Sequence, residues 1–353
     1  MSLPSVEQPF VVGTLPSPLG PVPRVPSTLT GRDRWGTIKA RWGVGRMHYT
    51  VDPGLYAVGR PKDNSPVFVT ANYKMSFDAL RASLAGRDSW LLVLDTRGIN
   101  VWCAAGKGTF GTDELIARIA SSALEQVVSH KTVILPQLGA PGVAAHLVKK
   151  HSGFRVVYGP IQAADIPAFW DAGHKATPAM RQKTFSLRER AVLIPVELMA
   201  ALKTAAWVLP LLFFFSGLGG PQGYWANAAR FGSFAVAATL CAVFAGTVLV
   251  PLLLPWLPGR AFSLKGLSLG LLVSVFVRAS RGFENGGLPE QVEALAWFLL
   301  IPTVTAYLAM NFTGASTYTS LSGVKKEMRI ALPVQIGAGL LGLILWGVSR
   351  FLT

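Results

Sequence analysis

The sequence predicts an α/β Rossmann-like domain with a mainly parallel sheet, followed by an all-α transmembrane domain of five helices. Short β-rich runs alternate with helical runs from Asp52 to about Ala172, a pattern typical of a parallel sheet covered on both faces. Beyond residue 193, five apolar stretches each approach the ~20 residues that a helix needs to cross a bilayer. The composition, with 51% hydrophobic and only 14% charged residues, is too apolar for an ordinary soluble protein.

The N-terminal segment, residues 1–30, is rich in Pro, Ser, Gly and Val without a period, so we expect a flexible leader. The α/β domain is expected to occupy residues 31–178. Its first stretch, Arg32 to Arg46, is either a basic surface element or an arm laid across the domain. A basic linker at 179–193 then leads to the transmembrane domain at 194–353. That linker carries Arg181, Lys183, Arg188 and Arg190.

The elements of the α/β domain follow from the alternation of its apolar runs. The predicted strands cover residues 66–71, 90–94, 132–135 and 154–158. The predicted helices cover residues 76–85, 112–128, 143–150 and 164–172, with a short helix after Asn100. Ligands of such sheets bind beyond the carboxyl ends of the strands. We therefore expect loops 70–73, 100–107 and 137–142 to meet at one rim, with Gly159-Pro160 as a candidate fourth.

The octet Asn100-Val101-Trp102-Cys103-Ala104-Ala105-Gly106-Lys107 is the most informative stretch. Asn100 is placed to cap the short helix, and Cys103 falls in its first turn. Unpaired backbone amides and the helix dipole favour a negative group there, which makes Cys103 a candidate thiolate. On spacing alone, however, a single Cys among Val, Trp and Ala is more often an inert, buried small hydrophobe.

Several classes of site and function are disfavoured. The chain has only two cysteines, Cys103 and Cys241, so neither a disulfide framework nor a four-cysteine iron-sulfur cluster can form within it. Gly106-Lys107-Gly108-Thr109 lacks the spacing of a phosphate-binding loop, which disfavours a nucleotide site. The net charge of +15 is scattered without a stacking platform of aromatics, so anionic lipid headgroups are the expected partner and nucleic acid is not.

The apolar stretches predict spans at residues 194–216, 231–254, 262–280, 294–311 and 332–352. Five crossings place the two termini on opposite sides of the membrane. Basic residues precede the first span and follow the second and the fourth, and by the positive-inside rule this side is cytoplasmic. We therefore expect the α/β domain in the cytoplasm, the loop 282–293 with its three glutamates outside, and the C-terminus outside the cytoplasmic (inner) membrane.

Two resemblances follow from these motifs. The octet 100–107 resembles the cap-helix signature of the HgcA family, the membrane-bound corrinoid proteins of microbial mercury methylation. Residues 53–59, 69–74 and 137–146 resemble the large subunit of the corrinoid iron-sulfur protein of acetyl-CoA metabolism, over roughly residues 50–170. The chain departs from that subunit in lacking its cysteine-rich cluster domain and in placing Cys103 in the cap helix. Both departures are shared with the HgcA family.

These resemblances imply a cofactor and a site. The cofactor is a cobalamin-type corrinoid, with Cys103 as the axial ligand to its cobalt and the catalytic residue. Asn100 and Trp102 would set the geometry of the helix, and Lys107 would pair with a corrin side chain or phosphate. The implied cofactor-binding residues are Thr70, Asn72, Asn100, Val101, Trp102, Cys103, Ala104, Ala105, Gly106, Lys107, Leu138, Gly139, Ala140, Pro141 and Gly142. Ala104, Ala105 and Gly106 would admit the macrocycle, and the remaining loops would line its amides and nucleotide tail.

The implied activity is methyl transfer from the corrinoid cobalt to Hg(II), forming methylmercury. The implied partners are a ferredoxin-like iron-sulfur reductant of the HgcB type, Hg(II) or its thiolate complexes, a methyl-donor protein of a folate-linked pathway, and membrane lipid. One alternative is a membrane-anchored corrinoid methyl carrier of one-carbon and acetyl-CoA metabolism, in which Cys103 only packs. Another is a transporter or sensor whose cytoplasmic domain binds a nucleotide.

Overall fold

The computed structural model describes residues 3–18, 20–281, 287–315 and 321–352. The chain divides into two compact units. The first comprises Met1–Ala40 and Val44–Lys183, and the second comprises Arg41–Gly43 and Thr184–Thr353. The first unit is the α/β part of the chain, and the second contains the long apolar helices.

The first unit is built on a seven-stranded sheet with the strand order β1-β2-β3-β5-β4-β6-β7. Strands β4, β5, β6 and β7 are mutually parallel, β3 runs antiparallel to β5, and the sheet is therefore mixed but mostly parallel, as predicted. The parallel register of the central pair runs from Val67 opposite Trp90 to Ala71 opposite Leu94. The strands are β1 (Gly13–Ser17), β2 (Gly20–Val25), β3 (Gly54–Val58), β4 (Val67–Ala71), β5 (Ser89–Leu94), β6 (Thr132–Leu135) and β7 (Arg155–Tyr158).

Most helices of this unit lie close to their predicted positions, but the first one, Gly31–Arg41, was not predicted as a helix. The helices are α1 (Gly31–Arg41), α2 (Lys74–Ser83), α3 (Val101–Lys107), α4 (Thr112–Ser121), α5 (Leu124–Val127), α6 (Ala145–Ser152) and α7 (Ile166–Asp171). The single helix predicted at 112–128 is broken into α4 and α5. The Ser122 hydroxyl donates to the Arg118 carbonyl at 2.7 Å, and Ala123 adopts a left-handed φ of 36°. A side chain that bonds the previous turn competes with helix continuation, which explains the break.

The N-terminal segment differs from the expected flexible leader. Residues Gly13–Ser17 and Gly20–Val25 form the antiparallel strands β1 and β2, and Val22 and Val25 are buried in the core. The strands β1 and β2 were not predicted because they contain prolines, and proline is poorly compatible with a central strand. Pro21 and Pro23 pair only with the edge strand β1, whereas contact with β3 is made by Arg24 and Val25.

The segment Arg32 to Arg46 contains α1, which is held by a buried group of charges. Lys74 Nζ lies 2.8 Å from Asp33 Oδ1 and 2.6 Å from Asp78 Oδ2, and Arg81 contacts both carboxylates at 2.9 and 2.7 Å. We call Asp33, Lys74, Asp78 and Arg81 the charge cluster. Two cations and two anions balance one another, which is how ionised groups are accommodated away from water.

Alternate strand residues form hydrophobic cores on the two faces of the sheet. Leu92 and Leu94 pack on one face with Phe110 and Leu115, while Leu91 and Val93 pack on the other with Phe77. Strands buried on both faces are the expected consequence of a doubly covered parallel sheet. This leaves the strand ends and their loops as the accessible parts of the sheet.

Among its described residues, the second unit contains five helices long and apolar enough to cross a membrane: Leu187–Phe215, Tyr224–Leu253, Phe262–Ala279, Leu288–Asn311 and Ser322–Ser349. Their individual segments are α8 (Leu187–Ala191), α9 (Ile194–Phe215), α10 (Tyr224–Asn227), α11 (Ser233–Phe244), α12 (Val250–Leu253), α13 (Phe262–Ala279), α14 (Leu288–Asn311) and α15 (Leu321–Ser349), with π-helical turns at Ala228–Gly232 and Ala245–Leu249.

The last two apolar helices begin earlier than the predicted spans at 294 and 332. Glu290, Lys325 and Glu327 are polar but good helix formers, so the helix extends beyond the apolar stretch that hydropathy detects. Part of the loop 282–293 expected outside the membrane, residues 282–286, lies outside the described residues.

Candidate functional site

The candidate site lies where the parallel strands of the first unit end. Asn72 follows β4, the loop 95–100 follows β5, the 3-10 turn Gln137–Gly142 follows β6, and Gly159 follows β7. This is the edge at which ligands of α/β sheets bind. The loops predicted to meet here do so.

The helix α3 is only seven residues long and has a capping residue at each end. At its start, Asn100 Oδ1 accepts a hydrogen bond from the Cys103 backbone N–H at 2.9 Å. At its end, Gly108 adopts a φ of 81°, a left-handed conformation that glycine adopts without a steric penalty. The predicted cap is therefore present, and it holds the backbone of Cys103 directly.

The two faces of α3 differ. Val101, Ala104 and Ala105 are buried against the core, whereas Trp102 and Cys103 are half-buried and Gly106 and Lys107 are exposed. Residues three and four apart share a helix face, so Gly106 lies beside both Trp102 and Cys103. A Cβ at Gly106 would have open space around it. Cys103 therefore stands on an outward face, beside a position, Gly106, that carries no side chain.

This orientation corrects the roles expected for two alanines. Ala104 is fully buried and Ala105 is 6% exposed, and both belong to the hydrophobic core under the sheet. They cannot admit a macrocycle to the outward face. Their small size instead allows α3 to pack closely against the 3-10 turn that follows β6.

The glycines of the 3-10 turn serve the same packing. A Cβ on Gly142 would clash with the carbonyl oxygen of Phe110 and lie 3.0 Å from Ala105 Cα. A Cβ on Gly139 would lie 2.5 Å from the Phe110 ring. These two glycines thus position α3 rather than line a ligand, which the sequence motif alone did not distinguish. Between them, Ala140 is half-buried and Pro141 is exposed.

Asn72 also has a different role from the one expected. Its Oδ1 accepts hydrogen bonds from the Thr96 N–H at 3.1 Å, the Thr96 hydroxyl at 2.9 Å and the Gly98 N–H at 3.0 Å. Its Nδ2 donates to Asp95 at 3.2 Å. The buried amide of Asn72 is thus committed to the loop that leads into α3. Thr96, which is fully buried, was missed as a site residue because a turn threonine carries no distinctive sequence signal.

A cavity of about 300 Å³ opens beside the start of α3. Of the predicted site residues, Thr70, Asn100, Val101, Trp102 and Leu138 line it, whereas Cys103 does not. Gly159 and Pro160, the candidate fourth loop, also line it. The remaining lining residues were not predicted. They are Phe68, Val69, Ser76, Ala79, Leu80, Ile134, Leu135, Pro136, Ile161, Ala163 and Ile166. The predominantly apolar wall suits an uncharged part of a larger ligand.

Tyr158 anchors the chain just after the 3-10 turn. Its hydroxyl donates to the Val143 carbonyl at 2.7 Å, and burial raises the pKa of this phenol above its ordinary value. Tyr158 therefore stays a neutral hydrogen-bond donor over the whole physiological pH range. It supports the position of the turn against α3.

In the described part of the chain, no set of protein groups around Cys103 would complete a metal centre. Within the described residues there is no group of three or more His, Cys, Asp or Glu side chains that could hold a metal ion. A metal bound by Cys103 would therefore have to bring its other ligands with it, as a metal held in a macrocycle does. The open face beside Gly106 and the neighbouring apolar cavity fit such a group.

Comparisons with known proteins match this part of the chain. The family model described as CdhD: CO dehydrogenase/acetyl-CoA synthase delta subunit matches residues 44–170. That segment includes all the candidate site residues and stops before the long apolar helices.

Individual relatives match over a similar region. The gamma subunit of the acetyl-CoA decarbonylase/synthase complex of Methanopyrus kandleri is 32% identical over 121 residues, which are 34% of this chain and 26% of the relative. The gamma 2 subunit of Methanosarcina thermophila is 34% identical over 133 residues, 36% of this chain and 27% of the relative. The gamma subunit of Methanocaldococcus jannaschii is 35% identical over 98 residues, 27% of this chain and 20% of the relative.

The chain therefore spans about a quarter of the length of the first two of these relatives. The expected likeness of residues 50–170 to a subunit of acetyl-CoA metabolism is confirmed. The likeness of the octet to the HgcA family stays a prediction.

Proposed function

We propose that this chain is a membrane-anchored, corrinoid-dependent methyltransferase in which the Cys103 sulfur is the axial ligand of the cobalt and Hg(II) is the methyl acceptor. The observation that carries the proposal is the outward face of α3. Asn100 holds the Cys103 backbone at 2.9 Å, and Gly106 leaves the neighbouring position free of a side chain. A flat macrocycle needs such an open approach to a sulfur ligand.

The relatives support the corrinoid and methyl-transfer part of the proposal. Their names assign them to the acetyl-CoA decarbonylase/synthase complex. Residues 50–170 of this chain resemble the large corrinoid subunit of acetyl-CoA metabolism. In this chain, Cys103 would hold the cofactor from α3, and Thr70, Trp102 and Leu138 would contact a part of it that enters the cavity. Gly139, Gly142, Asn72 and Thr96 would hold α3 and its loop in place.

The choice of acceptor depends on the sulfur ligand. A bound corrinoid would supply a methyl group for transfer, and if the Cys103 thiolate held it, that group would be more carbanion-like than with a histidine ligand, which would suit the electron-poor Hg(II) ion. With two cysteines in the whole chain, a four-cysteine cluster cannot be built here. A separate ferredoxin-like iron-sulfur protein would therefore supply electrons, and a folate-linked protein would supply the methyl group.

A second candidate function is favoured by the names of the relatives alone. In it, the chain is a membrane-anchored methyl carrier of acetyl-CoA metabolism, and Cys103 only packs beside Trp102. The five long apolar helices fit anchoring to a membrane in either case. The two candidates differ in whether the reaction needs the Cys103 sulfur.

The test compares Cys103→Ala with Cys241→Ala in the purified full-length chain loaded with methylated corrinoid under anaerobic conditions. We expect methylmercury formation and the optical signature of sulfur bound to cobalt in the unchanged chain and in Cys241→Ala, and loss of both in Cys103→Ala. Corrinoid methyl transfer that survives in Cys103→Ala would favour the methyl carrier. A colourless protein that takes up no corrinoid would overturn both candidates.

A further inference from the structure

A second cleft lies at the opposite edge of the same sheet, where the parallel strands begin. Its volume is about 400 Å³, within the range of small-molecule sites. The first residues of β4, β6 and β7, namely Val67, Thr132 and Arg155, line it together with the segment after α7. The proposed function makes no use of this cleft.

The charge around the cleft has one sign. Arg155 and Lys175 line it from different segments, and none of its lining residues is acidic. Both side chains are exposed, and neither forms an ion pair with a residue that the structure describes. The nearby carboxylate of Asp171 is already engaged by Arg87 at 2.9 Å. Two cations without a counter-charge at the mouth of a concave site attract an anion.

The histidines of the cleft add polar groups that are held in place. His130 Nε2 lies 2.9 Å from the Ser65 carbonyl and its Nδ1 accepts from the Thr132 N–H at 3.3 Å, so both nitrogens of this ring already have backbone partners. His174 adopts a left-handed φ of 62°, rare for a residue with a Cβ, and its ring packs against Phe169 and Trp170.

His174 also leaves a polar atom unsatisfied. Its Nε2 is buried and finds no hydrogen-bond partner among the described residues. Burial lowers the pKa of this imidazole, so the ring is mainly neutral at pH 7. A buried unpaired nitrogen costs free energy, and a phosphate would recover it only by displacing the His174 ring enough to reach that nitrogen.

We propose that Arg155, Lys175 and His174 form a binding site for a phosphate group, carried either by a small free molecule or by the headgroup of an anionic lipid. The planar guanidinium of Arg155 can donate to two phosphate oxygens at once, Lys175 adds a point charge, and Asn64, which also lines the cleft, offers an amide donor. A cleft of this size admits one phosphate with a small substituent and is too small for a polymer. The inference is independent of the corrinoid and of the candidate site.

The experiment measures hydrogen exchange of the full-length chain in peptides that contain Arg155 and Gly173–Lys175. Inorganic phosphate is added to detergent-solubilised protein at low ionic strength, and a second arm compares nanodiscs of phosphatidylcholine with nanodiscs that also contain phosphatidylglycerol. The test variant is Arg155→Gln with Lys175→Gln. The control, Lys149→Gln with Lys150→Gln, removes the same charge from exposed positions on α6.

We expect exchange in these peptides to slow by about tenfold when phosphate is tenfold above its Kd. The test variant should weaken phosphate binding by about tenfold or more, since each lost contact is a charged hydrogen bond, and the control variant should not. Slowing by inorganic phosphate identifies a free phosphate ligand, and slowing only by phosphatidylglycerol identifies a lipid headgroup. Slowing in neither arm, or equal weakening by the control variant, would overturn the proposal.

Discussion

The side-chain oxygen of Asn72 accepts two hydrogen bonds from Thr96, from its N–H at 3.1 Å and from its hydroxyl at 2.9 Å. This contact joins the end of β4 to the loop after β5, across 24 positions of sequence. The single hydroxyl hydrogen of Thr96 is shared between Asn72 Oδ1 and the Ile99 carbonyl oxygen, which lies 2.6 Å from the hydroxyl oxygen and one residue before the Asn100 cap. The position of Cys103 thus depends on a residue that need not touch any ligand.

Replacing Asn72 with Ala should loosen the loop that leads into α3. Three donors would lose their shared acceptor in a buried place, at a cost of about 1–3 kcal/mol. We expect the amides of Thr96 and Gly98 to exchange roughly 10- to 100-fold faster in a hydrogen-exchange experiment. The control is Asn64→Ala, at an exposed asparagine. Comparable acceleration of the Thr96 and Gly98 amides in this control would contradict the prediction.

The cap of α3 can be tested through the reactivity of Cys103. Asn100→Ala removes the hydrogen bond to the Cys103 N–H and should destabilise this short helix by about 1 kcal/mol, whereas Asn100→Asp retains an acceptor. In a Cys241→Ala background, we expect thiol alkylation of Cys103 to change rate in Asn100→Ala and to return towards the original rate in Asn100→Asp. Equal rates in all three proteins would show that the cap does not control the thiol.

Two glycines at the site should respond oppositely to alanine. Gly142→Ala forces a Cβ against the Phe110 carbonyl and Ala105, and should lower the stability of the α/β unit by about 1–3 kcal/mol. Gly106→Ala enters open space in a helix and should leave stability unchanged or raise it by up to about 1 kcal/mol. Thermal unfolding measures both.

Substitutions at Gly106 also test the open face of α3. If a macrocycle approaches Cys103 over Gly106, Gly106→Ala should weaken corrinoid uptake, although the protein is as stable as before. Larger side chains at position 106 should weaken uptake further. Undiminished uptake by Gly106→Leu would rule out an approach over this face.

The charge cluster predicts a specific loss of stability in acid. Burial disfavours the charged form of Asp33, but hydrogen bonds from Lys74 and Thr30 outweigh it and hold the pKa of this carboxyl well below its ordinary value of 3.8. A depressed folded-state pKa stabilises the protein above the unfolded-state pKa, and that stabilisation is lost as the pH falls towards the folded-state value.

We therefore expect the stability of the chain to decline as the pH falls below about 4. Asp33→Asn should lack this decline and should be less stable at pH 7 by about 3–5 kcal/mol, because Lys74 and Arg81 lose a buried counter-charge. Unfolding monitored by circular dichroism at several pH values measures the effect. Asp63→Asn, at an exposed carboxylate, serves as the control, and an identical pH profile in both variants would refute the assignment to Asp33.

Much of the α/β unit was predictable because its signals are local. The runs at 90–94 and 132–135 correspond to β5 and β6, and Asn100 and Gly108 bound α3 through interactions with residues three or four positions away. The hairpin β1-β2 was not predictable, because its prolines argue against a strand unless the pairing partner is known. The direction of β3 against β5 is likewise a property of the assembled sheet.

By itself, the sequence determined the order of strands and helices from β4 to α7, the capped octet around Cys103 and the five long apolar helices among the described residues, since each depends on periodicity or on contacts within a single turn. Only the tertiary structure decided that Ala104 and Ala105 face the core while Cys103 and Gly106 face outward, that Asn72 holds Thr96, and that Arg155 and Lys175 line one cleft with His174. The physical reason is that these relationships join residues far apart in the chain, whose distances are set by packing on the sheet and not by their neighbours in sequence.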